Sequence, residues 1–144
     1  MRASEQHEAI RAILETEKRY AREAYLFVLE TVSYAAGEQR RQASASPGAE
    51  DAPRHISGQE LLQIMREFAL KQYGPLAHEL LSSWGILRSE DFGELVFLLV
   101  NHGLLGASKD DSITDFENGF DFREAFLGPY EAPAESPVPT EAIY

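Results

Sequence analysis

The chain contains no cysteine, which excludes a disulfide framework, thiolate metal sites and cysteine nucleophiles. Its longest uninterrupted apolar run, Leu95 to Val100, is far short of the roughly 20 residues a membrane-spanning helix needs, so no membrane partner is expected. Positive charge is scarce where the chain is most hydrophobic. Residues 1–41 balance seven basic groups against seven glutamates, whereas residues 42–144 hold six basic and seventeen acidic groups, the whole of the net charge of −11. Such a surface repels phosphate backbones and acidic headgroups. The opening residues Met1-Arg2-Ala3-Ser4-Glu5 lead into a charged segment without an apolar stretch, so no secretory signal is expected and the cytoplasm is the expected location.

What is present is a dense helix-period pattern from Ile56 to Gly106. Ser57-Gly58-Gln59-Glu60 has the spacing of a capping box, in which the Ser57 hydroxyl accepts from the Glu60 amide while the Glu60 carboxylate accepts from the Ser57 amide. Leu61, Leu62, Met65, Phe68, Ala69 and Tyr73 then fall on one face. Gly74-Pro75 stops this helix and starts another, with Leu76, Ala77, Leu80, Leu81 and Trp84 as its stripe and Gly85 as its stop. Ser89 reads as the next N-cap, followed by Glu90, Asp91 and Glu94 in the turn where the helix dipole favours negative charge. Phe92, Leu95, Val96, Leu99 and Val100, flanked by Phe97 and Leu98, make this helix apolar over most of its circumference, the expected central helix. Asn101-His102-Gly103 ends it.

A second pattern runs over residues 3–36, with Ile10, Ile13, Leu14, Glu17, Ala21, Ala24, Tyr25, Val28, Val32 and Ala35 spaced for one face and Gly37 as its expected end. As one helix it would be about 50 Å long, more than a domain of this size covers, so a break is expected near Tyr20. Ile10, Ile13 and Leu14 then form a possible partner face, for another protein or a second copy of the chain. Residues 38–54 contain no large apolar side chain and read as a flexible linker. Residues 128–144, with four prolines and three glutamates, read as a disordered acidic tail. Between core and tail, Ser112 and Asp121 are placed to cap two short helical pieces. Phe116, Phe120, Phe122 and Phe126 are expected to fold back as aromatic plugs, since left exposed they would form a sticky patch. The alternative pairs residues 103–105 with residues 119–122 as a hairpin, which would make the fold winged-helix-like.

The blocks His55-Ile56-Ser57-Gly58-Gln59-Glu60-Leu61-Leu62, Tyr73-Gly74-Pro75-Leu76-Ala77, Trp84-Gly85-Ile86, Glu90-Asp91-Phe92-Gly93-Glu94, Gly103-Leu104-Leu105 and Phe120-Asp121-Phe122 together resemble a family of small uncharacterised bacterial proteins. The resemblance covers residues 55–127, with a fainter echo at Ala24-Tyr25-Leu26-Phe27-Val28. Ser89 stands where threonine is expected, a change that keeps a capping hydroxyl. It implies a shared domain and carries no activity.

The expected fold is mainly α: a small orthogonal helical bundle with a long N-terminal helix, forming one domain over residues 1–127. No cofactor or metal is expected. His7, His55, His78 and His102 include no HExxH and no pair one turn apart. Asp110, Asp111, Asp115, Glu117 and Asp121 fail the calcium-loop template, because placing Gly119 sixth puts Phe116 third and Ala125 twelfth. Asp91-Phe92-Gly93 lacks the glycine-rich and catalytic loops that give that tripeptide a meaning in kinases. The helix that would enter a DNA groove carries Glu90, Asp91 and Glu94 and no basic residue, the wrong sign for nucleic acid. Three function classes stand: a non-catalytic protein-interaction or regulatory module; a small metal-dependent or acid–base enzyme using Asp91, Glu94 and His102; and, behind both, a winged-helix-like nucleic-acid binder in which a dimer presents the basic residues of the N-terminal helix. Convergence of those three side chains in a pocket would favour the enzyme.

Overall fold

A computed structural model describes residues 3–45, 57–106, 116–117 and 119–130. Among these residues are six α-helices: α1 (Ala3–Thr16), α2 (Arg22–Ala45), α3 (Gly58–Tyr73), α4 (Ala77–Ser83), α5 (Ser89–Asn101) and α6 (Phe122–Phe126). They form a small helical bundle. The described residues contain no strand, and Gly103 to Leu105 lie in turn and bend while Phe122 opens α6, so the winged-helix alternative does not hold. No helix of the described residues is long and apolar enough to cross a membrane.

The N-terminal pattern breaks where its length requires, at residues 17–21, into α1 and α2. It does not end at Gly37. Helix α2 runs on to Ala45, through the first part of the expected linker, because Glu38, Gln39, Arg40, Arg41 and Gln42 are good helix formers and Glu38 pairs with Arg41 one turn away. The rest of that linker, residues 46–54, lies outside the described residues.

The capping box of α3 forms as its spacing demands: the Glu60 amide donates to Ser57 Oγ at 3.1 Å and the Ser57 amide donates to Glu60 Oε1 at 3.4 Å. The expected face of α3 is buried through Leu61, Leu62, Met65, Phe68 and Ala69, with Tyr73 half-buried. Gly74-Pro75-Leu76 makes one 3₁₀ turn, which rotates the following residues so that Ala77 and Leu81 face the core while Leu76 is left 56% exposed. Trp84 is half-buried, set against Phe27 and edge-on to Tyr73.

The centre of the bundle is also not where hydrophobicity alone puts it. Helix α2 packs on α1, α3 and α5, and α3 packs on α2, α4, α5 and α6. Helix α5 buries Phe92, Leu95 and Leu99 against this pair but leaves Val96, Phe97 and Leu98 half-buried. Its N-cap is Arg88, not Ser89. Ser89 is drawn into the helix because its hydroxyl is taken by a distant partner, the Gly119 amide, at 3.1 Å.

The aromatic plugs take the expected positions. Phe116, Phe122 and Phe126 are buried, Phe120 stacks on Phe122, and Asp121 caps α6 by accepting from the Glu124 amide at 3.0 Å. Phe116 lies so close to Gly93 of α5 that a Cβ there would sit 2.7 Å from the Phe116 Cβ. Residues 128–130, counted with the tail from sequence, form a 3₁₀ turn packed on α6. The Ser112 cap and residues 131–144 lie outside the described residues.

Candidate functional site

The three residues with possible acid–base chemistry share α5 but not a site. Asp91 is 9% exposed and its carboxylate is filled: Oδ1 accepts from the Tyr20 hydroxyl at 2.8 Å, and Oδ2 accepts from the amides of Leu87 at 3.0 Å and Arg88 at 3.2 Å. Those amides are donors that a helix start leaves without partners, so Asp91 is the reach-back half of a cap, acting where the Arg88 side chain has no acceptor to offer. Glu94 accepts from the Arg19 guanidinium at 3.3 Å. His102 is exposed at the other end of the helix, about 16 Å away at 1.5 Å per residue, where its Nδ1 hydrogen-bonds the Leu98 carbonyl at 2.9 Å.

Around Asp91 these contacts form a polar staple that ties the α1–α2 elbow to the α4–α5 loop. The Ala21 amide donates to the Trp84 carbonyl at 3.1 Å, and the Arg19 carbonyl packs on Gly85. Within the elbow, Arg19 wraps Glu17: its amide and Nε both donate to Oε1, at 3.0 and 2.9 Å. These hydrogen bonds hold the Glu17 carboxyl below the usual carboxylate range and raise the Arg19 guanidinium. Tyr20, under the same guanidinium at 5.1 Å, has its phenol pushed well up by burial and then by the hydrogen bond to Asp91, so it is a fixed donor at neutral pH.

The buried polar groups are almost all satisfied. Thr31 donates to the Phe27 carbonyl at 2.9 Å, and Ser89 and Asp91 are accounted for above. The exception among the described residues is the Tyr25 hydroxyl, fully buried, edge-on to Tyr20 and without a hydrogen-bond partner. Burial pushes its phenol up to about 12.

Removing that hydroxyl leaves no partner unsatisfied, so Tyr25→Phe is expected to be neutral or to stabilise the chain by up to about 1 kcal/mol in urea denaturation. The pH dependence has a definite sign. Both phenols stay protonated in the folded chain at a pH where an unfolded tyrosine, titrating near about 10, is already ionised. They contribute no pH dependence below about 10, and stability falls as pH rises from there toward 12. Tyr25→Phe should flatten that alkaline limb, and an unchanged limb would count against the burial argument.

Two of the open grooves among the described residues are large enough to consider. The first, about 600 Å³, lies between the start of α5 and α6, with Leu87 58% exposed beside His78, Arg88, Phe120 and Arg123, and with Glu90 and Asp121 among them. Its charges are mixed in sign. The second, about 440 Å³, has the larger share of apolar side chains: Leu26, Leu29 and Val32 of α2, Phe68 of α3, and Leu104 and Leu105 after α5, with Gln6, Glu30 and Ser33 beside them. Gln6 is the one residue of α1 at this groove. The expected partner face of α1 is not exposed, because Ile10 and Ile13 are fully buried in the chain's own core and Leu14 is half-buried against it. Sequence spacing identified those residues as an apolar stripe; that the stripe is already occupied depends on the bend at residues 17–21.

Among the described residues no group of three or more histidines, aspartates or glutamates is placed to hold a metal ion. Comparison of the chain with protein-family models, with curated proteins and with solved structures gives no match.

Proposed function

We propose that the chain is a non-catalytic protein-interaction module whose docking face is the apolar groove between α1, α2, α3 and Leu104-Leu105. The observation that carries this reading is the commitment of Asp91, Glu94 and His102 to structure. The first is filled by three donors, the second pairs with the elbow, and the third caps the far end of its own helix. An acid–base site needs such groups converging beside a cavity that admits substrate. What the surface offers instead is half-buried aliphatic side chains of α2 and of the segment after α5 beside Phe68 of α3, a groove of the kind that receives an amphipathic helix. A cytoplasmic location, and kinship with the small bacterial proteins that the sequence blocks resemble, belong to the same proposal. The nucleic-acid reading has little to support it, since α5 carries only acidic charge.

A photo-crosslinking residue placed at Val32, inside the groove, and separately at exposed Glu79 on α4 tests the proposal in the cell of origin. Discrete protein adducts from Val32 and none from Glu79 are the expected result. Adducts at neither position, or equally at both, would reject the groove as a docking face.

A further inference from the structure

The large apolar side chains that stand exposed among the described residues are Leu76, Leu87 and Tyr130, and they belong to one neighbourhood. Leu76 opens α4 and Leu87 follows it, while Tyr130, after α6, brings its hydroxyl to 3.8 Å from where a Cβ on Gly74 would sit. Helices α4 and α6 pack on each other. The mixed-charge groove beside them is lined by Leu87, by half-buried Phe120 and by His78, two residues beyond Leu76. Its charge balance is unlike that of the surrounding chain. Residues 57–130 hold twelve acidic groups against five basic ones, Arg66, Lys71, Arg88, Lys109 and Arg123. The groove lining holds two of each sign, Arg88 and Arg123 with Glu90 and Asp121. Copies of a chain of net charge −11 repel wherever acidic faces meet, over a range of about 8–10 Å at ordinary salt. A face carrying both signs in equal number is where two copies can close to contact. A two-fold axis through it sets arginines of one copy against carboxylates of the other, whereas a partner charged all one way leaves like charges facing each other.

We propose that this face is the interface of a two-fold symmetric homodimer, in which Leu87 and Phe120 of two copies pack together and Arg88 and Arg123 of each meet Glu90 and Asp121 of the other. Leu76 and Tyr130 extend the apolar contact on the α4 side. The inference goes beyond the docking reading and is independent of it, because this groove shares no lining residue with the one that contains Val32. Apolar contact supplies the attraction, and the alternating charges fix the register in which two copies meet.

Sedimentation equilibrium of the full-length chain at about 100 µM should give twice the mass of one copy. The double variant Arg88→Glu/Arg123→Glu makes the lining wholly acidic, and Glu90→Arg makes it net basic. Each alone should dimerise at least tenfold more weakly than the wild type. An equimolar mixture of the two should recover the dimer, since opposite faces then meet. A wild-type chain that stays monomeric overturns the proposal, and so does a dimer that neither variant weakens. Should a charge variant fail to fold by circular dichroism, a second arm decides. The chain has no cysteine, so Leu87→Cys, at a 58% exposed position, places one thiol at the proposed interface. Treatment with a short bismaleimide should link two copies through it, and should not link them through Glu15→Cys on the exposed side of α1. No linked dimer from Leu87→Cys, or equal yields from both, overturns the proposal. A monomeric chain leaves the docking groove at Val32 standing, and absence of Val32 adducts leaves the dimer standing.

Discussion

Gly85→Ala is expected to lower the melting temperature by about 10 °C or more. Gly85 has φ of +94°, a conformation that side chains rarely adopt and whose strain is of order 1–3 kcal/mol. A Cβ there would also run into the backbone carbonyl of Arg19 and approach Tyr20 Cδ1 to 3.2 Å. Backbone cannot step aside as a flexible side chain can, so the elbow must move and Tyr20 must leave Asp91. A total above about 3 kcal/mol out of a typical 5–15 follows, at roughly 3 °C per kcal/mol for a chain of this size. Gly103→Ala is the control. Its φ is +77° but no atom lies within 4 Å of the added methyl, so only the conformational cost of about 1–2 kcal/mol applies. Equal losses from the two variants would show that close packing of the elbow on Gly85 contributes nothing.

The second large effect is at Asp91. Asp91→Ala strips three donors of their acceptor at once, the buried Tyr20 hydroxyl, where water does not readily replace the carboxylate, and the part-buried amides of Leu87 and Arg88. At about 1–3 kcal/mol for an orphaned buried group, a loss of about 3 kcal/mol in urea denaturation is expected. Tyr20→Phe removes one donor and leaves two, and should cost about 1 kcal/mol. The double variant should lose less than the sum of the singles by about 1 kcal/mol, because the hydroxyl orphaned by the first change is deleted by the second. Strict additivity would mean that Tyr20 and Asp91 do not act as a pair. The contrast with Tyr25→Phe, where loss of a phenol hydroxyl costs nothing, separates a hydrogen-bonded buried tyrosine from an unpaired one within a single core.

How far the fold was readable depends on whether the signal was local. The Ser57–Glu60 box, the Asp121 cap, the stop at Gly103 and the buried face of α3 each depend on residues within one or two turns, and each appears where its spacing puts it. The misreadings share a different cause. Ser89 has a good N-cap side chain, but its hydroxyl is claimed by an amide 30 residues on, leaving the cap to Asp91. Leu76 matches the stripe of α4, but a 3₁₀ turn advances the chain by a different angle per residue and turns it outward. Gly37 has the form of a stop, yet the helix formers after it and the Glu38–Arg41 pair carry α2 past it. The candidate site shows the same limit. A run of carboxylates at a helix start is visible in sequence, whereas its partners Tyr20 and Arg19 lie more than 70 residues away in the chain.

By itself the sequence determined a cysteine-free, one-sidedly acidic chain that folds as helices with known caps, because composition, periodicity and capping are set by neighbours along the chain. Tertiary structure alone decided that α2 and α3 form the centre, that Ile10 and Ile13 are covered by their own chain, and that Asp91 is a structural acceptor instead of a free acid. Those outcomes turn on which helix meets which across the bend at residues 17–21, and the energy of such a meeting belongs to pairs of residues that the linear pattern does not bring together.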